Sequence, residues 1–98
     1  LEIALKVLQE FKDRMRITHS SEDDNLKTLL SFSVADITEK CGAFDIEKNI
    51  RAKELVFERT RYAYNDALEY FDNNFLSQIN SLGLSIALAE EGESDAAV

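Results

Sequence analysis

The chain has 98 residues, of which 45% are hydrophobic and 31% charged, enough for one modest core and one domain. Eleven basic and nineteen acidic residues give a formal net charge of −8, which argues against non-specific attraction to nucleic acid or to an anionic membrane surface. A single cysteine, Cys41, excludes an internal disulfide, and no apolar run approaches the roughly 20 residues of a membrane span, so the composition predicts a soluble domain that folds in a reducing compartment.

Charge is unevenly distributed: none of the bases and five of the acids follow Phe71. There is no proline, and the three glycines stand at 42, 83 and 92, so little in the sequence opposes long helices. The expected fold class is all-α, a small bundle of about four helices with one long central helix and an acidic flexible C-terminal tail.

In chain order, Ile3, Ala4, Val7, Leu8 and Phe11 recur at spacings of three and four, predicting an amphipathic helix over about 3–13. The segment Arg14-Met15-Arg16-Ile17-Thr18 alternates polar and apolar residues. Ser20 with Asp23 three places later predicts a loose capping box, and Glu22, Asp23 and Asp24 suit the positive end of a helix dipole. Leu26, Leu29, Leu30, Val34, Ile37 and Cys41 form one stripe of that second helix, and Gly42 supplies a stop.

A third helix is predicted from about Ile46 to Phe71. Its polar sector, containing Glu54, Glu58, Arg61, Asn65, Glu69 and Asp72, is narrow, so apolar residues spread around most of the surface and imply partners on more than one side. Arg59 and Asp66 project into the apolar sector of such a helix, seven residues and about 10.5 Å apart. Too distant to neutralise each other, they are expected to pair across a subunit or partner contact. Asp72-Asn73-Asn74 predicts a break before a fourth helix bearing Phe75, Ile79, Leu82 and Ile86, with Gly83 weakening it. The expected division is one helical domain over 1–89 and a disordered acidic tail over 90–98.

The residues offer little chemistry. His19 is the only histidine and has no cysteine near it, so neither a zinc site nor a Cys-His nucleophile pair can be assembled. Cys41 falls on an apolar stripe and is expected in the core. The acids at 22–24 lack the calcium-loop pattern, and there is no phosphate-binding glycine loop and no G-x-S-x-G. The expectation is a protein without catalytic site, metal or cofactor. Arg14/Arg16 and Arg59/Arg61 are the only arginine concentrations, expected as solvated helix ends and ion pairs. The candidate contact residues are therefore Arg59, Asp66, Phe57, Tyr64, Phe75, Ile79, Leu82 and Ile86.

The stretch from Phe11 to Leu30, with Met15-Arg16-Ile17 followed by an acidic cap and the pair Leu29-Leu30, resembles the opening of the head-tail connector (adaptor) proteins of long-tailed bacteriophages. The order that follows is also similar: a glycine-containing loop, a long tyrosine-rich helix, then a short helix with a tail. The resemblance implies a structural virion protein at the head-tail interface, assembled in the host cytoplasm. Copies would form a homo-oligomeric ring of twelve-fold symmetry under the portal protein, extend the DNA channel without sequence-specific binding, and meet a stopper or tail-completion protein. An acidic channel would let DNA slide, with the tail or Glu54, Glu58 and Glu69 as candidate lining. Two alternatives remain: a small helical regulatory module binding one protein partner through its third and fourth helices, and a helix-turn-helix repressor, which lacks a basic recognition helix.

Overall fold

The computed structural model describes the backbone of residues 3–96 and the side chains of residues 3–90, and among these there are helices and no strand. The elements are α1 (Leu5–Met15), α2 (Asp23–Cys41), α3 (Ile50–Tyr64), a 3-10 turn (Leu68–Tyr70), α4 (Phe71–Asn74) and α5 (Leu76–Ala96). The sequence-predicted class, a small all-helical bundle, is the observed one.

Helix α2 lies at the centre, in contact with α1, α3 and α5. Leu26, Leu30, Ser33, Ile37 and Cys41, spaced by three or four residues, form its buried face. Val7, Leu8 and Phe11 of α1 pack on one side of the core, and Ala52, Leu55, Val56 and Phe57 of α3 on another. Phe11 and Phe57 meet edge to face at 5.5 Å. Ile79, Leu82 and Ile86 of α5 close the core, and the Cys41 thiol donates to the Ile79 carbonyl at 3.3 Å.

Helices α1 and α3 stop by the same device. After α1, Arg16 takes a left-handed conformation (φ 60°), the Ile17 N–H reaches the Lys12 carbonyl at 2.9 Å and the Arg16 N–H that of Asp13 at 3.2 Å. After α3, Asp66 (φ 55°) plays the part of Arg16, with Ala67 N–H to Tyr62 carbonyl at 2.8 Å and Asp66 N–H to Ala63 carbonyl at 3.2 Å. These paired bonds satisfy carbonyls that the last turn leaves open. They also displace two sequence-predicted features. The alternating Arg14–Thr18 segment is the end of α1 and its exit, and the predicted helix over 46–71 is divided.

The start of that third helix differs as well. The Asp45 side chain accepts from the Glu47 N–H at 3.0 Å and builds a turn, and Asn49 then caps α3 by accepting from Ala52 N–H at 3.0 Å. Ile50 is consequently the first helical residue. At the other end the chain reverses at Asn65–Ala67, and Asp72-Asn73-Asn74, predicted as a break, is helical in α4. Three aromatic rings hold this reversal: Phe71 stacks on Phe75 at 5.0 Å, and Tyr62 meets both edge to face at 5.8 and 5.6 Å. The predicted Ser20 capping box is not formed. Ser20 contributes its carbonyl to the Asp23 N–H, and Glu22 occupies the cap position without a side-chain cap bond.

The predicted boundary at Glu90 does not interrupt the backbone, since α5 continues to Ala96 through residues that, Gly92 apart, do not oppose a helix. Residues 97–98 of the expected tail lie outside the described residues. The long α5 contributes to an elongated shape of 51 × 28 × 19 Å, with a radius of gyration of 14.5 Å against about 13 Å for a typical domain of 100 residues.

Two glycines have opposite roles. Gly42 follows α2 with φ +106°, and a Cβ there would lie 3.0 Å from the Ile86 side chain. A Cβ on Gly83 would meet only the Cys41 Cα at 3.7 Å and the Lys40 carbonyl at 3.9 Å, ordinary contact distances. Gly83→Ala is therefore expected to stabilise the fold by up to about 1 kcal/mol through helix propensity. Gly42→Ala should destabilise it by about 1 kcal/mol or more through the left-handed backbone and the crowding at Ile86. Urea unfolding followed by circular dichroism measures both.

Candidate functional site

The most developed polar cluster lies in the seam between α2 and α3 and runs out to α4. Ser33 and Thr60 are both fully buried, their hydroxyls 2.9 Å apart. The donors can be assigned consistently: Arg59 Nη1 donates to Ser33 Oγ at 3.2 Å, Ser33 to Thr60, and Thr60 to the Val56 carbonyl at 2.8 Å. Arg59 Nε donates to Asp36 Oδ2 at 3.0 Å, and the same carboxylate oxygen accepts from Lys40 Nζ at 2.7 Å. Lys40 also reaches Asp72 at the start of α4. The chain of contacts joins three helices and alternates charge along its exposed end.

This geometry revises the expected contact set. Arg59 finds its counter-ion in Asp36 of its own chain and needs no partner subunit. Asp66 is exposed in the turn after α3, so its projection into an apolar helix sector disappears together with the long helix. Phe57, Ile79, Leu82 and Ile86 are buried in the domain's own core, and Phe75 belongs to the aromatic cluster at the reversal. Tyr64 is half-buried and donates its hydroxyl to Glu22 Oε2 at 2.7 Å. Among the described residues, the large apolar side chains that remain exposed are Leu5, Phe32, Ile50, Leu68, Tyr70, Leu76, Leu84 and Leu88. Periodicity marks which residues share a face. It does not say whether that face meets the same chain or another, and dividing α3 changes the phase of everything after Tyr64.

Of the arginine concentrations, Arg14, Arg59 and Arg61 form ion pairs, while Arg16 is exposed at the end of α1. Arg14 of α1 and Arg61 of α3 converge on Glu58 at 2.8 and 2.7 Å, leaving its side chain 15% exposed. Arg61 also lies over the Tyr62 ring, 5.1 Å from its centroid. Of the three carboxylates suggested for a channel lining, Glu58 is thus occupied within the chain, while Glu54 and Glu69 are exposed. Lys12, almost buried, pairs with Asp23 at 2.8 Å and fastens the end of α1 to the start of α2.

At the start of α2, Ser21 Oγ lies 2.9 Å from His19 Nδ1, and Glu22 Oε2 lies 3.7 Å from His19 Nε2. The three residue types suggest a nucleophile triad, but the arrangement cannot act as one. The ring is more than half exposed, and Glu22 stands beyond hydrogen-bond distance of its Nε2 and so does not orient the imidazole. Burial raises the Cys41 thiol above its ordinary value, which keeps it as an inert packed group. The described residues hold no group of three potential metal ligands, and none of their helices is long and apolar enough to cross a membrane. A groove of about 390 Å³ between α3 and α5 is lined by Arg51, Glu54, Leu55, Phe75, Ser77, Gln78 and Ser81. Its ionisable groups are one base and one acid.

Comparisons with protein-family models, curated proteins and solved structures found no match.

Two predictions concern this polar framework. Arg59→Ala removes a charge-assisted bond from a largely enclosed Asp36 and should cost about 1.5–3 kcal/mol. Because the two side chains act as a pair, Arg59→Ala combined with Asp36→Ala should cost less than the sum of the single changes in a urea double-mutant cycle.

The hydrogen bond to Glu22, with smaller help from burial, raises the Tyr64 phenol above its ordinary value. A phenol that holds its proton more tightly when folded contributes stability that is complete below about pH 10 and is lost as pH rises beyond it. Denaturation midpoints measured from pH 9 upward should therefore fall less steeply in Tyr64→Phe than in the natural chain.

Proposed function

We propose that this chain is a structural helical adaptor of the phage head-tail connector kind, working through contacts with neighbouring copies and a portal-like partner and carrying no chemistry of its own. The observation that carries this proposal is the placement of its exposed large apolar side chains. Leu5, Phe32, Ile50, Tyr70 and the Leu84/Leu88 pair belong to five different elements. A module with one partner needs one contiguous patch, whereas a ring subunit needs surface for two neighbours and for the structures above and below.

Three further features support it. The polar seam is internally satisfied, with no buried side-chain nitrogen or oxygen left unpaired among the described residues, as suits a structural rather than a reactive cluster. The net charge of −8 suits a passage through which DNA slides. The opening stretch from Phe11 to Leu30 resembles that family's, although the Met15–Ile17 part forms a helix end here.

The test is to add the purified protein to DNA-filled phage heads that carry a portal but lack this component. The expected result is a new ring of density beneath the portal in negative-stain images, together with gained competence to join tails. Heads that remain unchanged, while the protein captures one defined partner in an equimolar complex, would replace this proposal with the regulatory module.

A further inference from the structure

The outer face of α5 has a pattern that the core does not use and that the adaptor role, which asks only for exposed apolar surface, does not specify. Ile79, Leu82 and Ile86 face inward, and the opposite stripe runs through positions 77, 81, 84 and 88, with spacings of four, three and four. This is the heptad spacing with which one helix meets another along a seam. Its residues in order are Ser77, Ser81, Leu84 and Leu88. Leu84 is 62% and Leu88 56% exposed.

We propose that this stripe pairs antiparallel with the same stripe of a second copy, forming a two-fold dimer. The order is self-complementary about position 86. An antiparallel copy sets its Leu88 opposite Leu84 and its Leu84 opposite Leu88, with the Ser77 and Ser81 end of each helix alongside the C-terminal end of the other.

Charge selects this orientation. No residue from Leu76 to Ala89 is charged, while the acids of α5 are confined to its end at 90, 91, 93 and 95. A parallel pair would stack the acidic ends on each other, whereas the antiparallel pair lays each over uncharged serines and the positive N-terminal end of the other α5. Arg51 adds to this. It lines the groove shared with Ser77 and Ser81 and makes no ion pair among the described residues. Glu54, the one acid lining that groove, opposes its effect without cancelling the positive helix end. A single seam along a helix of 21 residues, about 31 Å long, sits at the weak end of specific interfaces. A dissociation constant between about 1 µM and 1 mM is expected.

The inference does not depend on a role in a phage neck. Sedimentation equilibrium of the natural chain up to about 1 mM should show a monomer–dimer equilibrium. Two double variants, Leu84→Glu with Leu88→Glu and Leu84→Lys with Leu88→Lys, should each keep the natural helicity and associate at least about a hundredfold more weakly. Mixed in equal amounts, they should recover a heterodimer. Orientation is read by oxidising single cysteine variants: Leu84→Cys should cross-link to Leu88→Cys faster than either links to itself. Arg51→Glu should weaken the natural dimer several-fold at low salt. A chain that stays monomeric, a dimer unaffected by the charged pairs, or preferential 84–84 cross-linking would each overturn the proposal.

Discussion

The seam between α2 and α3 is the constraint on which the rest of the molecule depends. Ser33 and Thr60 are small enough to be wholly enclosed there, and the two hydroxyls complete one another instead of seeking water. An unpaired buried hydroxyl would cost about 1–3 kcal/mol, so the hydrogen-bonded pair favours one register of the two helices over a slide along the seam. Arg59 and Asp36 extend that register towards the surface, and Lys40 passes it to Asp72 of α4. The reversal that brings α5 back onto α2 is thereby tied to the same polar chain that aligns α2 with α3.

Once α2 and α3 are fixed, the remaining elements have limited freedom. α1 is held at its end by Lys12 on Asp23 and by Arg14 on Glu58, and in its middle by Phe11 on Phe57. The aromatic group of Tyr62, Phe71 and Phe75 turns the chain after α3, and α5 then lies with Gly83 close to Cys41. Only one face of α5 is used in this packing. The proposed pairing gives a role to its outer face, while the apolar residues exposed on the other elements remain available for the wider contacts an adaptor would make. A small domain buries only about 60–65% of its unfolded surface, so such contacts would contribute materially to its stability.

Much of the fold was legible in the sequence. The stripe from Leu26 to Cys41 followed by Gly42 located the central helix and its end, and Phe75, Ile79, Leu82 and Ile86 marked the apolar face of the last one, which was read as a contact face and packs instead on the domain's own core. The candidate contact surface was far less legible. Arg59 read as an unpaired charge because its partner, Asp36, is distant in sequence on another helix. Ser33 and Thr60 gave no signal, since a buried hydroxyl pair in a helix seam has the same local pattern as two solvated ones. The division of α3 was hidden because Asn65-Asp66 can continue a helix as well as end one, and the left-handed turn at Asp66 is favoured by the contacts that follow it.

By itself, then, the sequence determined helical class, helix phase and charge placement, because these follow from local periodicity, from the absence of proline and from counting. Tertiary structure alone decided where α3 ends, which ionic groups neutralise each other, and which apolar residues are left for a partner. Those outcomes depend on distances between helices remote in sequence, and a buried face has the same local pattern whether its neighbour belongs to the same chain or to another.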